Sequence, residues 1–184
     1  PYSIGHIVVK NLVHNGFVGP VFAVNPKGGT IRSIKAYESI LDVPCDTIDL
    51  VNISIRNVFV PAVLEECGRK GVKFAIVHSA GFKEVGPEGL ALERKMVATA
   101  HKHGIRIFGP NSQGIQNADP AVSVYANFTF VPQKPGNISI IAQGGGMGEM
   151  LKLHLHNVGI GHRMYCSYGN ECDLSMPEIL EYYG

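Results

Sequence analysis

The chain has 184 residues, of which 45% are hydrophobic, enough to bury the core of one α/β domain and part of a second and too apolar for a disordered segment. Sixteen Lys and Arg against fifteen Asp and Glu leave a net charge of +1, so no basic field favours nucleic acid or a membrane surface as partner. No apolar run approaches the roughly 20 residues needed to cross a bilayer, and Cys45, Cys67, Cys166 and Cys172 form neither a CxxC pair nor a zinc spacing, so reduced thiols, no metal site and a cytoplasmic location are expected.

In chain order, Ile4, Ile7, Val8, Leu12 and Val13 share one face of a short helix over residues 4–14, ended by Asn15-Gly16. Residues 21–25 read as a short buried strand closed by Pro26-Lys27-Gly28-Gly29. An extended piece at 34–36 and a helical turn at 38–41 lead to a buried strand at 48–55. A helix at 58–71 with a glycine stop is followed by a strand at 73–78. The longest helix, 87–104, opens on proline and glutamate and ends on Lys102 and His103, in keeping with the helix dipole. A strand at 105–108 runs into Gly109-Pro110-Asn111-Ser112-Gln113-Gly114. Strands and helices alternating at these spacings predict βαβ units and a parallel sheet covered on both faces.

Residues 119–136 carry Pro120, Pro132 and Pro135 and show no period, which places a domain boundary between 130 and 131. The second unit opens on the apolar run Ile138 to Ala142, then Gln143 and the glycines Gly144, Gly145 and Gly146. A helix follows from Met147, with Met150, Leu151 and Leu155 at helical spacing, then a strand near 162–167 and a helix near 175–183. Strand, glycine turn and helix together suit an anion, because the first N–H groups of a helix lack partners and glycines let a phosphate approach them. The first element is a helix with no strand before it, whereas a doubly wound sheet starts on a central strand. A strand upstream and further protein downstream are therefore expected. The pairs His101/His103 and His154/His156 diverge on their helices, so no shared metal is expected.

Four phrases follow one another in a familiar order: VNPKGG, VLEECGRKGVKFAIVHSAGFKEVG, HGIRIFGPNSQGIQN and KPGNISIIAQGGGMG. On these the chain resembles the CoA-binding subunit or domain of the nucleoside-diphosphate-forming acyl-CoA synthetases, the group of ADP-forming acetyl-CoA synthetase and, more distantly, the succinyl-CoA synthetase alpha chain. The resemblance implies a Rossmann-like CoA-binding domain over 1–130, followed over 131–184 by the start of a flavodoxin-like α/β domain. It implies an acid–CoA ligase that interconverts acyl-CoA, ADP and phosphate with acid, CoA and ATP, through an acyl phosphate and a phosphohistidine outside this chain. An ATP-grasp subunit or fused domain would hold the nucleotide and Mg²⁺, and an oligomer is expected.

The same resemblance implies roles. Lys27, Ile55, Ser79, Ala80, Gly81 and Phe82 would line the CoA groove, with Phe82 packed either on the pantetheine arm or on its own domain. Residues 53–57 read ISIRN where the family carries Val-Val-Pro or Val-Pro-Pro, and there the Arg56 guanidinium suits a bidentate contact to a CoA phosphate, or is a surface arginine. Asn111 and Ser112 would sit near the thiol end as catalytic residues. Gly144, Gly145 and Gly146 would hold a phosphoryl group. Relatives commonly place serines where Ala142 and Gly144 stand, so two hydroxyls are missing from the phosphate loop. That departure keeps a second reading open, a non-catalytic or regulatory CoA-binding module or part of a protein acyltransferase. A dinucleotide oxidoreductase is a third reading, but the third glycine of its fingerprint would fall at Glu149.

Overall fold

The computed structural model describes residues 3–184. Helix α1 (Ile4–His14) ends where the Asn15 N–H turns back to the Asn11 carbonyl. Strand β1 (Ala23–Val24) pairs in parallel with β3 (Ile34–Tyr37), and β2 (Thr30–Ile31) forms a hairpin with β3. The hairpin turn is Arg32-Ser33, both left-handed with φ of 48° and 65°. That is the primed geometry whose twist matches the flanking strands. Sequence alone missed β2, because two residues carry no period.

Strands β4 (Leu50–Ile53), β5 (Phe74–Val77) and β6 (Arg106–Phe108) form the parallel sheet that the alternation predicts, in the order β4-β5-β6. Helices α2 (Val60–Arg69) and α3 (Pro87–Lys102) cross over between them. Their apolar stripes supply Val60, Leu64, Cys67, Met96 and Ala100, all fully buried against Ala75, Val77 and Ile107 of the sheet. Each such aliphatic side chain contributes about 1.5–3 kcal/mol on burial, so this cluster is what holds the carboxyl edge of the sheet in place.

The second sheet has the order β7-β9-β8, from β7 (Gly114–Asn117), β8 (Pro135–Ala142) and β9 (His162–Ser167). β8 runs parallel to β9, and β7 runs antiparallel to it with Gly114 opposite Ser167. Helix α4 (Gly145–Asn157) starts two residues before the predicted Met147, because Gly144 in extended geometry (φ −102°, ψ 135°) serves as its N-cap and the next two glycines are already helical. Helix α5 (Met176–Tyr183) opens on a capping box between Ser175 and Glu178.

The two units are stitched along β6. After β9 the chain runs beside the end of the first sheet, with Asn170 N–H donating to Pro110 O (2.8 Å), Cys172 N–H to Gly109 O (3.1 Å) and Leu174 N–H to Ile107 O (3.2 Å). The Asp173 carboxylate caps this seam by accepting from Ile107 N–H at 2.7 Å, Arg106 Nε at 3.1 Å and His101 Nε2 at 3.0 Å. At the other end Asn11 of α1 donates to the carbonyls of Asn127 (2.9 Å) and Thr129 (3.2 Å). The irregular 119–134 stretch is therefore pinned from two sides, and its residues meet the loops at the carboxyl ends of β5 and β6.

Candidate functional site

The carboxyl edge of the first unit is built from three loops. After β1, Lys27 sits exposed in a turn closed by Gly28 N–H to Asn25 O at 2.7 Å, with Lys27 N–H donating to Asn25 Oδ1 at 2.9 Å. After β4, Ile55 is exposed and the Arg56 guanidinium lies 5.7 Å from the centre of the Phe59 ring. The β4 and β5 loops are tied together: the Ser79 hydroxyl donates to Ile55 O, and Asn57 Nδ2 donates to Gly81 O. Gly81 N–H and Phe82 N–H donate to the Glu84 carboxylate at 2.6 and 3.1 Å. Burial opposes the Glu84 charge, but the bonds from Asn170, Gly81 and Phe82 outweigh it and lower its pKa. Among the described residues neither Lys27 nor Arg56 is paired with a carboxylate. The Phe82 side chain takes the second of its two expected places, packed on its own domain. It is fully buried in the core of the first sheet and offers no surface to a ligand.

The turn after β6 and the start of α4 meet in one cavity of about 370 Å³. Asn111 and Ser112 line it from the first unit, and Gly145 and Gly146 from the second. Lys27, Ile55, Arg56 and the Ser79–Gly81 loop lie outside it, and Gly144 stands behind its rim. Asn111 is exposed in a left-handed conformation (φ 57°), with its N–H bonded to Ser79 O at 2.9 Å. The Ser112 side chain is turned inward. Its hydroxyl donates to Ser167 O and accepts from Gly114 N–H (2.9 Å), and the residue is 1% exposed. Pairing of β7 with β9 draws that hydroxyl inward, so it joins the two units and is spent before any substrate arrives.

Five further lining residues were not singled out by sequence as site residues: His78, Gln113, Phe128, Phe130 and Glu149. Glu149 projects from the second turn of α4. Its carboxylate accepts from Thr129 Oγ1 (2.6 Å), Phe130 N–H (2.8 Å), Gln113 Nε2 (3.0 Å) and Val131 N–H (3.1 Å). Burial raises its pKa, but Thr129, Lys152 and the Phe130 N–H more than compensate, and the net shift is downward. Lys152, one turn on, is fully buried, with Nζ 3.1 Å from Glu149 and 4.0 Å from the centre of the Tyr165 ring. The contact to Glu149 is an ion pair and not an aligned hydrogen bond. The sequence signal was an acid and a base at i and i+3 on a helix otherwise apolar, a pairing that stabilises helices.

His78 donates and accepts inside the protein. Nδ1 lies 2.9 Å from Ser112 O and Nε2 lies 3.0 Å from the Asn52 amide oxygen as placed. Burial pushes its pKa down to about 4, the Ser112 carbonyl notwithstanding, so the ring is neutral at pH 7. A neutral ring that gives its Nδ1 proton to a carbonyl must accept at Nε2. The Asn52 amide therefore turns its NH₂ toward the ring, an assignment that hydrogen-bond logic makes. The thiols of buried Cys67 and Cys166 and of half-buried Cys172 are each pushed up to about 12 by desolvation, so none is a thiolate nucleophile.

The glycine turn presents donors. No side chain caps α4, so the N–H groups of its first turn remain free at the positive end of the helix dipole. A Cβ on Gly145 would lie 2.8 Å from Gln113 Cβ, whereas one on Gly144 or Gly146 would meet nothing within 4 Å. Only the middle glycine is demanded by packing. Ala142 is buried beneath the turn and its carbonyl accepts from Tyr168 N–H.

With this geometry in view, the comparisons decide the family. Residues 1–118 match the model of the CoA binding domain family. The chain belongs to that family. Residues 135–184 match the succinyl-CoA ligase like flavodoxin domain, so the CoA binding domain is followed here by a second recognised unit. The chain is 39% identical, over its full length, to the acetate–CoA ligase [ADP-forming] I subunit alpha of Pyrococcus furiosus, of which it spans 40%. It is 40% identical, over 97% of its length, to the acetate–CoA ligase [ADP-forming] II of Archaeoglobus fulgidus, of which it spans 26%. The fold superposes on an acetyl-coenzyme A synthetase of Ca. Korarchaeum cryptofilum in complex with phosphate and ADP with a TM-score of 0.92 at 35% identity, covering all of this chain and 38% of that one. The CoA binding domain thus spans less than half of each of these relatives.

Proposed function

We propose that this chain is the CoA-binding part of an acid–CoA ligase that interconverts acyl-CoA, ADP and phosphate with acid, CoA and ATP. The observation that carries the reading is the shared cavity, where the Asn111 turn of one unit faces the free N–H groups of α4 in the other. Its division of labour follows two domains, 1–130 and 131–184. A thioester lying along the first unit's edge and a phosphate at α4 would then be neighbours.

The edge fits CoA. Lys27 and Arg56 are exposed cations without carboxylate partners, suited to phosphates, and beside Arg56 the side chains of Ile55, Val58 and Phe59 are 38%, 52% and 54% exposed, suited to an apolar arm. The backbone of Ser79, Ala80 and Gly81 closes the groove. CoA supplies the thioester; in the synthesis of ATP, a phosphate oxygen bonds to the thioester carbon, the C–S bond breaks and CoA leaves as the thiolate. Asn111 orients the carbonyl, and the N–H groups of Gly145 and Gly146, with Gly144 at the cap, hold the phosphoryl oxygens by positioned dipoles. The phosphoryl group then passes to a histidine outside this chain, releasing the acid, and from there to ADP. Mg²⁺ and the nucleotide belong to an ATP-grasp subunit or domain that assembles with this part, in the cytoplasm. No helix of the described chain is long and apolar enough to cross a membrane.

The test uses the complete protein with acyl-CoA, ADP, phosphate and Mg²⁺, and measures ATP. Formation of ATP that depends on both acyl-CoA and phosphate is the expected result. CoA binding without turnover of any acyl group would replace the ligase with a regulatory CoA-binding module.

A further inference from the structure

The cavity has two unlike walls. One is polar, with the Asn111 amide and the open first turn of α4. The other is aromatic, made by Phe128 and Phe130. Between them Thr129 is buried, its hydroxyl donating to the Glu149 carboxylate. Both backbones are fixed: Phe128 N–H donates to Gln113 O at 3.3 Å, and Phe130 N–H to Glu149 at 2.8 Å. The Phe128 ring stands edge-on to His78, with centroids 5.6 Å apart at 72°. Phe130 is held at the mouth with 77% of its surface exposed. A large apolar ring that is pinned and left in water at a cavity mouth marks a binding surface.

We infer that Phe128 and Phe130 are the acyl-recognition wall of this site, and that the acid it takes is a monocarboxylic acid with an aromatic or branched apolar chain. This rests on the ligase reading above. A cavity of about 370 Å³ falls in the range of about 300–1,000 Å³ that holds whole small-molecule ligands. Acetate, with one methyl group, leaves the phenylalanine end unfilled, while a ring or a branched chain covers it. A second carboxylate on the acid is disfavoured. No lysine or arginine lines the cavity, and Glu149 is held ionised on its wall by donors that it already engages. A diacid would place a charge there with no free cation to meet it, since Lys152 is already paired with Glu149.

The experiment is acyl-CoA formation by the complete protein from acid, CoA and ATP, with acetate, isovalerate, 3-phenylpropanoate and succinate compared. Each methylene in an apolar pocket discriminates by about 10–200-fold. The kcat/KM for isovalerate or 3-phenylpropanoate is therefore expected to exceed that for acetate by at least about tenfold, with succinate the poorest. Phe128→Ala is expected to lower kcat/KM for the bulky acids about tenfold, mainly through KM, and for acetate less than about threefold. Phe130→Ala, at an exposed position that does not support the core, should act in the same direction. In parallel, binding of 3-phenylpropanoate and acetate to wild type and Phe128→Ala is followed by ligand-observed NMR. Preference for acetate or succinate, or an equal loss for all acids, overturns the assignment. If no acid turns over but 3-phenylpropanoate binds and Phe128→Ala removes that binding, the pocket stands and the ligase reading falls. If it neither turns over nor binds, the pocket falls.

Discussion

The two places where we propose that this chain meets a ligand are held in opposite ways. At the edge of the first sheet, Lys27 and Arg56 stand in water on short loops, and their neighbours are fixed by backbone hydrogen bonds. Beneath the start of α4, Glu149 and Lys152 form a partly buried ion pair whose acid also fastens Gln113 and the backbone at 130 and 131. The edge can change a charge without disturbing the fold. The cavity floor cannot, because each polar group there has another group depending on it. Affinity for an anionic carrier is thus separable from stability in this chain, and the geometry of the reacting centre is not.

Glu149→Ala is the change that breaks this comparison most severely. It leaves the fully buried Lys152 ammonium without its counter-charge and frees the 129–131 segment. Removing one partner of a buried pair costs about 3–5 kcal/mol; we take the lower half, since the Glu149 side chain is 22% exposed. Chemical denaturation of the variant should show a loss of that order. The double variant Glu149→Ala/Lys152→Met, which removes the charge as well, should recover part of it. A double variant no better than the single one would mean that the ion pair is not what matters here.

How far the sequence showed these two regions differs for a physical reason. Strands β4, β5 and β6 and helices α2 and α3 were readable because each buries a periodic set of apolar residues. The edge loops were readable too, since they follow strand ends. The cavity was not. Strand β7 is only Gly-Ile-Gln-Asn, and its Gln116 is buried, so nothing in its composition announces a strand. Its partner β9 lies about fifty residues on, and that pairing turns the Ser112 hydroxyl away from the site. Phe128 and Phe130 lie in a stretch that reads only as proline-broken linker. They become a wall through contacts with α1, Gln113 and α4, which no local pattern encodes.

The pH dependence of stability sharpens the same contrast. Burial pushes both His78, at the cavity, and His162, beside Lys152, down to about 4. Folded pKa values below the unfolded value of about 6.5 mean that the unfolded chain binds more protons between those limits. The stabilisation is therefore complete above about pH 6.5 and is lost progressively as pH falls toward 4, at up to about 1.4 kcal/mol per pH unit for each histidine. Urea unfolding between pH 7 and 5 should show this fall, and His162→Gln should reduce its slope. A flat profile would contradict the burial of these two rings.

Lys27→Ala and Arg56→Ala test the other side. Both side chains are exposed and, among the described residues, without a carboxylate partner, so the unfolding free energy should hold within the roughly 0.5 kcal/mol typical of surface changes. The KM for CoA should rise about tenfold in each variant, with kcat little changed, as for lost binding that is equal in ground and transition states. The wild-type affinity should also weaken with added salt, and the variants less so, because the screened charges are the ones removed. An unchanged KM in both variants would move the carrier's phosphates away from this edge.

The smallest effect on stability is expected at Gly144, where the chain has glycine although its conformation does not require one. Its backbone is ordinary extended geometry, and a Cβ there meets nothing within 4 Å. Serine is a favoured N-cap, whose hydroxyl accepts from the N–H groups of the first turn, and it exceeds glycine there by a few tenths of a kcal/mol. Gly144→Ser should raise the melting temperature slightly. Its effect on turnover separates two uses of the same donors. A serine hydroxyl that caps the helix competes with a phosphoryl group for the first-turn N–H groups, whereas one that rotates into the cavity adds a donor to them. A higher rate of phosphate-dependent ATP formation would show that the hydroxyl serves the phosphoryl group. A more stable but slower enzyme would show that it has capped the helix, and that the bare glycine turn is what leaves those N–H groups free.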